Sequence, residues 1–308
     1  MNAIASSLPA APSDQPVPLM DPVAVDRWWA MRRAGGAWLH DEVGRRMAQR
    51  IGWIKQPPEH WLDWDPVHGG LLAHAAVRDA CTAAKSWVRT PAHRAAVRAA
   101  SPSGRLQRLL ALGAPSVLPA DRPVDMVWAN MVLHQLHRPE PLMAAWNRHL
   151  KVGGFLMMSC LGPDSLTEVT SAYRNWRGLP AHHPFTDMHD WGDLLVQAGF
   201  AEPVMDVERL TLTYASLDVL LRDLRLAGRN LHSERDAVTR GRGWLAQWRQ
   251  VLGEALPKNE DGHWCVTAEI IYGHAFKPVP RIRVASQSTI SVDAMRAMLR
   301  TRPTNEKR

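Results

Sequence analysis

The sequence predicts an α/β protein: a mostly parallel seven-stranded sheet with an antiparallel edge strand and a small helical lid. Three observations carry this. Short apolar runs alternate with amphipathic stretches as far as Cys160, the order that gives a parallel sheet with helices on its faces. A central block, V124-D-M-V-W-A-N130, is followed by a run opening on Gly153-Gly154. That is a buried strand ending in a polar residue, then a second strand, as at the ligand-binding carboxyl edge of an open sheet. Two late strands are separated by helical segments, which predicts an antiparallel pair at one edge and a lid insertion at about 215–258.

The elements follow in order. Val25, Trp28, Trp29, Met31, Trp38, Leu39, Val43, Met47 and Ile51 recur at spacings near three and four, so 24–53 reads as helix. Pro57-Pro58 breaks it. W61-L-D-W-D65 is a short apolar run closed by an acid, the first strand. Gly69-Gly70 precede a helix over 71–84. Strands are expected at 87–88, 116–119, 124–129 and 155–160, with helices at 103–113 and 141–150 between them. D187-M-H-D-W-G-D-L-L-V-Q-A-G199 reads as a helix with Gly199 as its stop. A strand at 204–214, helices at 217–226 and 244–256, and a last strand at 266–276 complete the series. Residues 1–20 read as a disordered tail, 21–280 as a single domain and 281–308 as a basic tail.

Composition narrows the function. With 308 residues, 46% apolar and 22% charged, the chain is long enough for one well-buried α/β domain. No apolar run reaches the roughly 18–20 residues a membrane span needs, and the first 18 residues lack the basic and apolar regions of a signal peptide. Cys81, Cys160 and Cys265 are too scattered for a metal site or a disulfide framework, so the expectation is a reducing cytoplasm and no metal. The net charge of +7 favours an acidic partner. Between Ala80 and Ala120 there is no acid, while Lys85, Arg89, Arg94, Arg98, Arg105 and Arg108 are present. That face is either solvated or anion-facing. Nucleic-acid binding through it lacks both a motif and surface aromatics.

At V124-D-M-V-W-A-N130 and L150-K-V-G-G-F155 the chain resembles class I S-adenosylmethionine-dependent methyltransferases, which have a Rossmann-like fold. G162-P-D-S-L166, F185-T-D-M-H-D-W-G-D-L-L-V-Q-A-G-F200, Pro203-Val204-Met205-Asp206, L210-T-L-T-Y214 and Y272-G-H-A275 together resemble the malonyl-acyl-carrier-protein O-methyltransferases of biotin synthesis. The resemblance runs from about Val25 to Pro280. It implies S-adenosylmethionine as cofactor and acyl carrier protein as partner. Methyl transfer to a carboxylate needs no strong base, and alignment alone contributes about 7–11 kcal/mol. Acyl carrier proteins are acidic, so Arg222, Arg225 and Arg229 of the lid are candidates for docking. Asp63, Gly69, Gly70, Asn130 and Met131 are candidates for holding the cofactor. Tyr272, His274, Asp187 and His189 are candidates near the chemistry. Tyr272 and His274 are expected on one side of the last strand; Asp187 and His189 also suit a helix cap and first turn.

The first half departs from the family pattern. The family's glycine loop lets the backbone approach the cofactor. Here the run is D63-W-D-P-V-H-G69-G70. Asp65 and Val67 occupy the first two glycine positions, and Pro66 fixes φ and removes an amide donor. The strand at 87–88 leads into Arg89 instead of an acid for the ribose, and no acid precedes Leu118-Pro119. Three contacts, each worth roughly 1–3 kcal/mol, are altered together. The alternative to a methyltransferase is therefore a non-catalytic descendant that binds a carrier or partner. Ala268 stands where the resembling proteins carry an aromatic, which enlarges the pocket.

Overall fold

The computed structural model describes residues 19–31, 37–100, 114–237 and 240–279. The N-terminal tail apart from 19–20, the basic tail at 281–308 and the expected helix at 103–113 lie outside these residues. Helix α1 spans Pro22–Ala30 and α2 Trp38–Gln49, followed by a 3-10 turn. One helix over 24–53 was expected from periodicity. The chain instead leaves the helix at Met31, which is extended, ahead of Gly35-Gly36 in the sequence, the residue with the poorest helix propensity after proline. Strand β1 (His60–Asp63) leads through Trp64 and Asp65 into the short helix α3 (Pro66–Gly69) and then α4 (Leu71–Ala80). Next come β2 (Lys85–Val88), α5 (Pro91–Ala100), β3 (Ser116–Val117) and β4 (Val124–Ala129).

The second half holds α6 (Glu140–His149), β5 (Leu150–Leu161), α7 (Thr167–Arg177), α8 (Met188–Gln197) and β6 (Ala201–Tyr214). Helices α9 (Leu217–Ala227) and α10 (Arg242–Ala255) follow, and β7 (Trp264–Phe276) closes the sheet. The helices α5 and α7 were not anticipated. Alanine and arginine dominate α5, and T167-E-V-T-S-A-Y-R-N-W-R177 is too polar to show a clear apolar stripe.

The sheet order is β3-β2-β1-β4-β5-β7-β6. The strands from β3 to β5 pair in parallel, while β7 is antiparallel to both β5 and β6. The reversed strand thus lies one place in from the edge, and the antiparallel pair at that edge is β6–β7. This is the expected Rossmann-like methyltransferase sheet.

Side chains alternate along the buried strands, so each strand feeds two cores. Trp61, Met126, Trp128, Phe155 and Met157 belong to one face, with α2 and the lid. Leu62, Val127, Ala129, Leu156 and Met158 belong to the other, with Trp146 of α6 and Leu195 of α8. The lid helices α9 and α10 are inserted between β6 and β7. Trp248 of α10 stacks on Trp176 of α7, with ring centroids 5.5 Å apart, and meets the Tyr173 ring edge-on at 5.2 Å.

The motif after β5 serves the frame. Gly162 sits against the Glu269 carboxylate, which accepts from the Asp164 amide at 2.8 Å, and the fully buried Ser165 hydroxyl donates to the Glu269 carbonyl at 2.9 Å. These bonds tie the start of α7 to β7, beside the cavity that the lid covers. Leu156 is wholly buried in the middle of β5. Its replacement by Ala is expected to cost about 2–5 kcal/mol, read as a lower urea midpoint with an unchanged slope.

Candidate functional site

The carboxyl edge of β1 and β4 is where the resemblance places a cofactor. The chain packs this edge with its own groups. Asp65, where the resemblance expects a glycine, acts as the N-cap of α3: one carboxylate oxygen accepts from the Val67 and His68 amides at 3.1 and 3.0 Å. The other oxygen lies 3.0 Å from His68 Nδ1, and His93 approaches at 3.8 Å. Burial pushes the Asp65 carboxyl up, but the His68 bonds outweigh it and hold it below the usual carboxylate range. A helical turn thus stands where a glycine loop would follow the cofactor.

Asp63, at the end of β1, is turned to His74 of α4 at 2.8 Å, and both side chains are buried. Burial raises the Asp63 carboxyl, with His74 opposing. His74 in turn lies against the Trp61 ring at 4.8 Å. Gly69 does let two backbones approach, but the second backbone is the protein's own: a Cβ there would lie 2.8 Å from the Asn130 carbonyl oxygen. Gly70 has φ +108° and abuts Asp41 of α2. That carboxylate accepts from the Leu72 and Ala73 amides at 2.9 and 3.2 Å, the amides at the start of α4.

Asn130 is buried and fully engaged. Its Nδ2 donates to the His40 carbonyl at 2.7 Å and to the Gly69 carbonyl, and its Oδ1 accepts from the Ser159 hydroxyl at 2.6 Å. Met131 is buried in the left-handed region at φ 54°, with its amide held by Ser159. The two residues brace the edge and do not open onto a cleft. At the end of β2, the Arg89 guanidinium lies over the Trp64 ring at 4.2 Å. From α1, the Trp29 ring lies tilted against His68, with centroids 4.4 Å apart, and its indole donates to the Gln135 carbonyl at 3.1 Å.

This arrangement does not fit S-adenosylmethionine held in the family's manner. The loop carboxylate, the strand-end acid and the asparagine amide are all spent on the chain's own groups, and the ribose position carries a cation.

The other candidates separate. Asp187 caps α8 and pairs with His189 at 2.6 Å, both in solvent. Tyr272 and His274 do share a face of β7, as expected. Tyr272 donates to Glu208 at 3.1 Å under the Arg50 guanidinium, and His274 lies 4.6 Å from the Phe276 ring and 5.4 Å from Phe155. Neither lines the cavity described next. Lys85 and Arg89, of the acid-free window, lie over tryptophan rings; Arg105 and Arg108 are outside the described residues. No group among the described residues could hold a metal ion, and no helix among them is long and apolar enough to cross a membrane.

A cavity of about 350 Å³ opens between the end of β4 and the lid. Leu166, Val169, Tyr173, Trp244 and Trp248 give it apolar walls. The buried His134 and His183 lie deep, and Arg225, Arg229 and Arg240 lie on its more exposed side. Arg225 and Arg229 thus line the cavity, whereas Arg222 points out and reaches Asp223 at 3.5 Å. Sequence reasoning missed His134, His183 and Arg240. The signal for two of them was present: H134-Q-L-H-R-P follows β4 directly, and His182-His183 stand between Pro180 and Pro184. Ala268 borders a smaller cavity of about 30 Å³ with Trp38 and Leu212.

Burial holds His134 well below its ordinary pKa, with His40, His183 and His182 adding repulsion, and lowers His183 to about 4. The unfolded state therefore binds more protons than the folded one over this range. The stability these groups contribute is fully present above their unfolded value of about 6.5 and is lost as pH falls toward 4. Urea midpoints measured from pH 7 to 4.5 are expected to fall, and less steeply in His183→Gln.

A methyltransferase domain model matches residues 80–158, beginning after β1 and its loop. The malonyl-[acyl-carrier protein] O-methyltransferase of Laribacter hongkongensis is 36% identical over 263 residues, 80% of this chain and 85% of that one. Proteins of the same name from Gallionella capsiferriformans and Nitrosospira multiformis are 35% and 33% identical, over 80% and 82% of this chain and 86% and 87% of theirs.

Proposed function

We propose a function from one premise: the chain belongs to the malonyl-[acyl-carrier protein] O-methyltransferase family. The function is to act on a malonyl group carried by acyl carrier protein, at the O-methylation step of biotin synthesis, in the cytoplasm. The observation that carries it is the lid-covered cavity beside the end of β4, with apolar walls and arginines at its opening. A carboxylate is already nucleophilic at neutral pH, so the site needs no ionised base, and the low pKa values of His134 and His183 keep those imidazoles neutral. The protein's tasks are to bind, to orient and to exclude water. The methyl donor of that step, S-adenosylmethionine, does not fit the packed edge of β1 and β4 in the family's manner.

A second reading is favoured by the packed edge of β1 and β4: a non-catalytic descendant that holds the malonylated carrier without methylating it. The two readings share the cavity and differ only in the donor. The full-length protein is incubated with malonyl-acyl carrier protein, with and without S-adenosylmethionine. Carrier retention on immobilised protein is measured beside mass spectrometry of the carrier. Both readings predict retention of the malonylated carrier. A methyl ester that depends on the donor selects the first reading, and retention without it selects the second. Absence of both removes the proposed function.

A further inference from the structure

The cavity under the lid carries an unbalanced charge. Arg225 lies in the last turn of α9, Arg229 follows the helix, and Arg240 precedes α10. All three guanidinium-bearing residues line the same cavity. Among the described residues, none of the three has a carboxylate at ion-pair distance. The nearby acids are engaged elsewhere. Asp236 is buried against Arg177 at 2.8 Å and accepts from the Tyr173 hydroxyl at 3.2 Å. Asp223 takes the Trp38 indole at 2.7 Å and Arg222. Asp218 pairs with Arg249 at 2.5 Å. Burial and the charges of Arg225 and Arg240 lower the Arg229 pKa. The Arg229 guanidinium is steered by the Arg225 and Gly228 carbonyls and lies 5.3 Å from the Trp28 ring. Like charges gathered at an apolar opening cost free energy unless an anion joins them.

The floor adds direction. His183 Nε2 lies 2.6 Å from the His134 carbonyl, so that nitrogen carries the proton and Nδ1 is an acceptor. The Gln135 amide has its oxygen on the Trp28 indole, so its nitrogen donates to the Ala227 carbonyl at 2.7 Å and to His134 Nε2 at 3.0 Å. His134 therefore carries its proton on Nδ1, as a donor. Neither Nδ1 has a hydrogen-bond partner. Buried polar groups in this condition are uncommon. One donor and one acceptor suit the carbonyl and the amide N–H of an acyl thioester on a pantetheine-type arm.

The geometry points to Arg225, Arg229 and Arg240 as an anion clamp at the opening of this cavity, which takes an acyl thioester whose anionic group rests on the clamp. The inference rests on the carrier-bound malonyl reading and names the residues that select the ligand. Two sources supply the anion: the carboxylate of the acyl group, or the phosphate of the carrier's prosthetic arm.

Calorimetry on the full-length protein separates them with three probes. Malonyl-N-acetylcysteamine carries the carboxylate alone, butyryl-phosphopantetheine the phosphate alone, and butyryl-N-acetylcysteamine neither. At least one anionic probe is expected to bind about tenfold more tightly than the neutral one, the scale of a charge-assisted bond. Arg225→Gln, Arg229→Gln and Arg240→Gln each remove that preference and leave the neutral probe unchanged. Preference for the malonyl probe assigns the clamp to the carboxylate, and preference for the phosphopantetheine probe assigns it to the phosphate. Equal binding of all three probes, or variants that melt normally and keep the preference, overturn the clamp. Retention of malonylated carrier is followed in parallel. Retention that survives these variants, with no probe preference, sinks the clamp and leaves the proposed function. Arginine-dependent binding of the probes without carrier retention keeps the clamp and sinks that function.

Discussion

The Asn130 side chain holds the central edge of the sheet together. Its amide nitrogen serves carbonyls of α2 and of the turn at Gly69, and its oxygen receives the hydroxyl of Ser159 on β5. One buried side chain thus joins four segments that are remote in sequence. Each buried polar group left unpaired by its loss costs about 1–3 kcal/mol, so the three bonds constrain one another. Gly44 is part of the same constraint, since a Cβ there would meet Ala73 of α4 and the Asn130 amide. Helix α2, the β1 turn and the start of α4 are drawn onto β4 by it. The space between the ends of β1 and β4 is protein.

The substitutions around this clasp form a consistent set. Asp65 stands where the resemblance expects a glycine and brings its own partners, two amides and His68. An N-cap of this kind contributes about 0.5–2 kcal/mol. His74 satisfies Asp63, Asp41 satisfies the start of α4, and Trp64 covers Arg89. A carboxylate in a glycine position would be a defect in a cofactor loop. In a helical turn it is a cap. Beside it the lid, the turn after β5 and α7 form a cavity with polar groups at both ends.

The sheet was legible because its strands are short apolar runs with turn residues between them, and Val124–Ala129 is buried at every position. The departures in D63-W-D-P-V-H-G69 were legible as altered chemistry. Their resolution was not, because the partners of Asp63 and Asp65 are histidines whose tautomers and directions only the packed structure sets. Helix α7 escaped notice because its buried face, Val169, Ala172 and Tyr173, is narrow among polar residues. Arg225 and Arg229 were legible as cations on the lid, but the side of the lid they occupy depends on how α9 packs against α2 and α10. His134 and His183 come together through a backbone carbonyl between distant segments, a contact that no spacing encodes.

The cofactor edge of this family member is filled by its own side chains. Calorimetric titration of the full-length protein with S-adenosylhomocysteine tests it directly. The packed edge predicts no binding heat up to millimolar ligand. A saturating isotherm with micromolar affinity would contradict it, because the ligand would then have to displace the Asp65 cap and the Asn130 clasp.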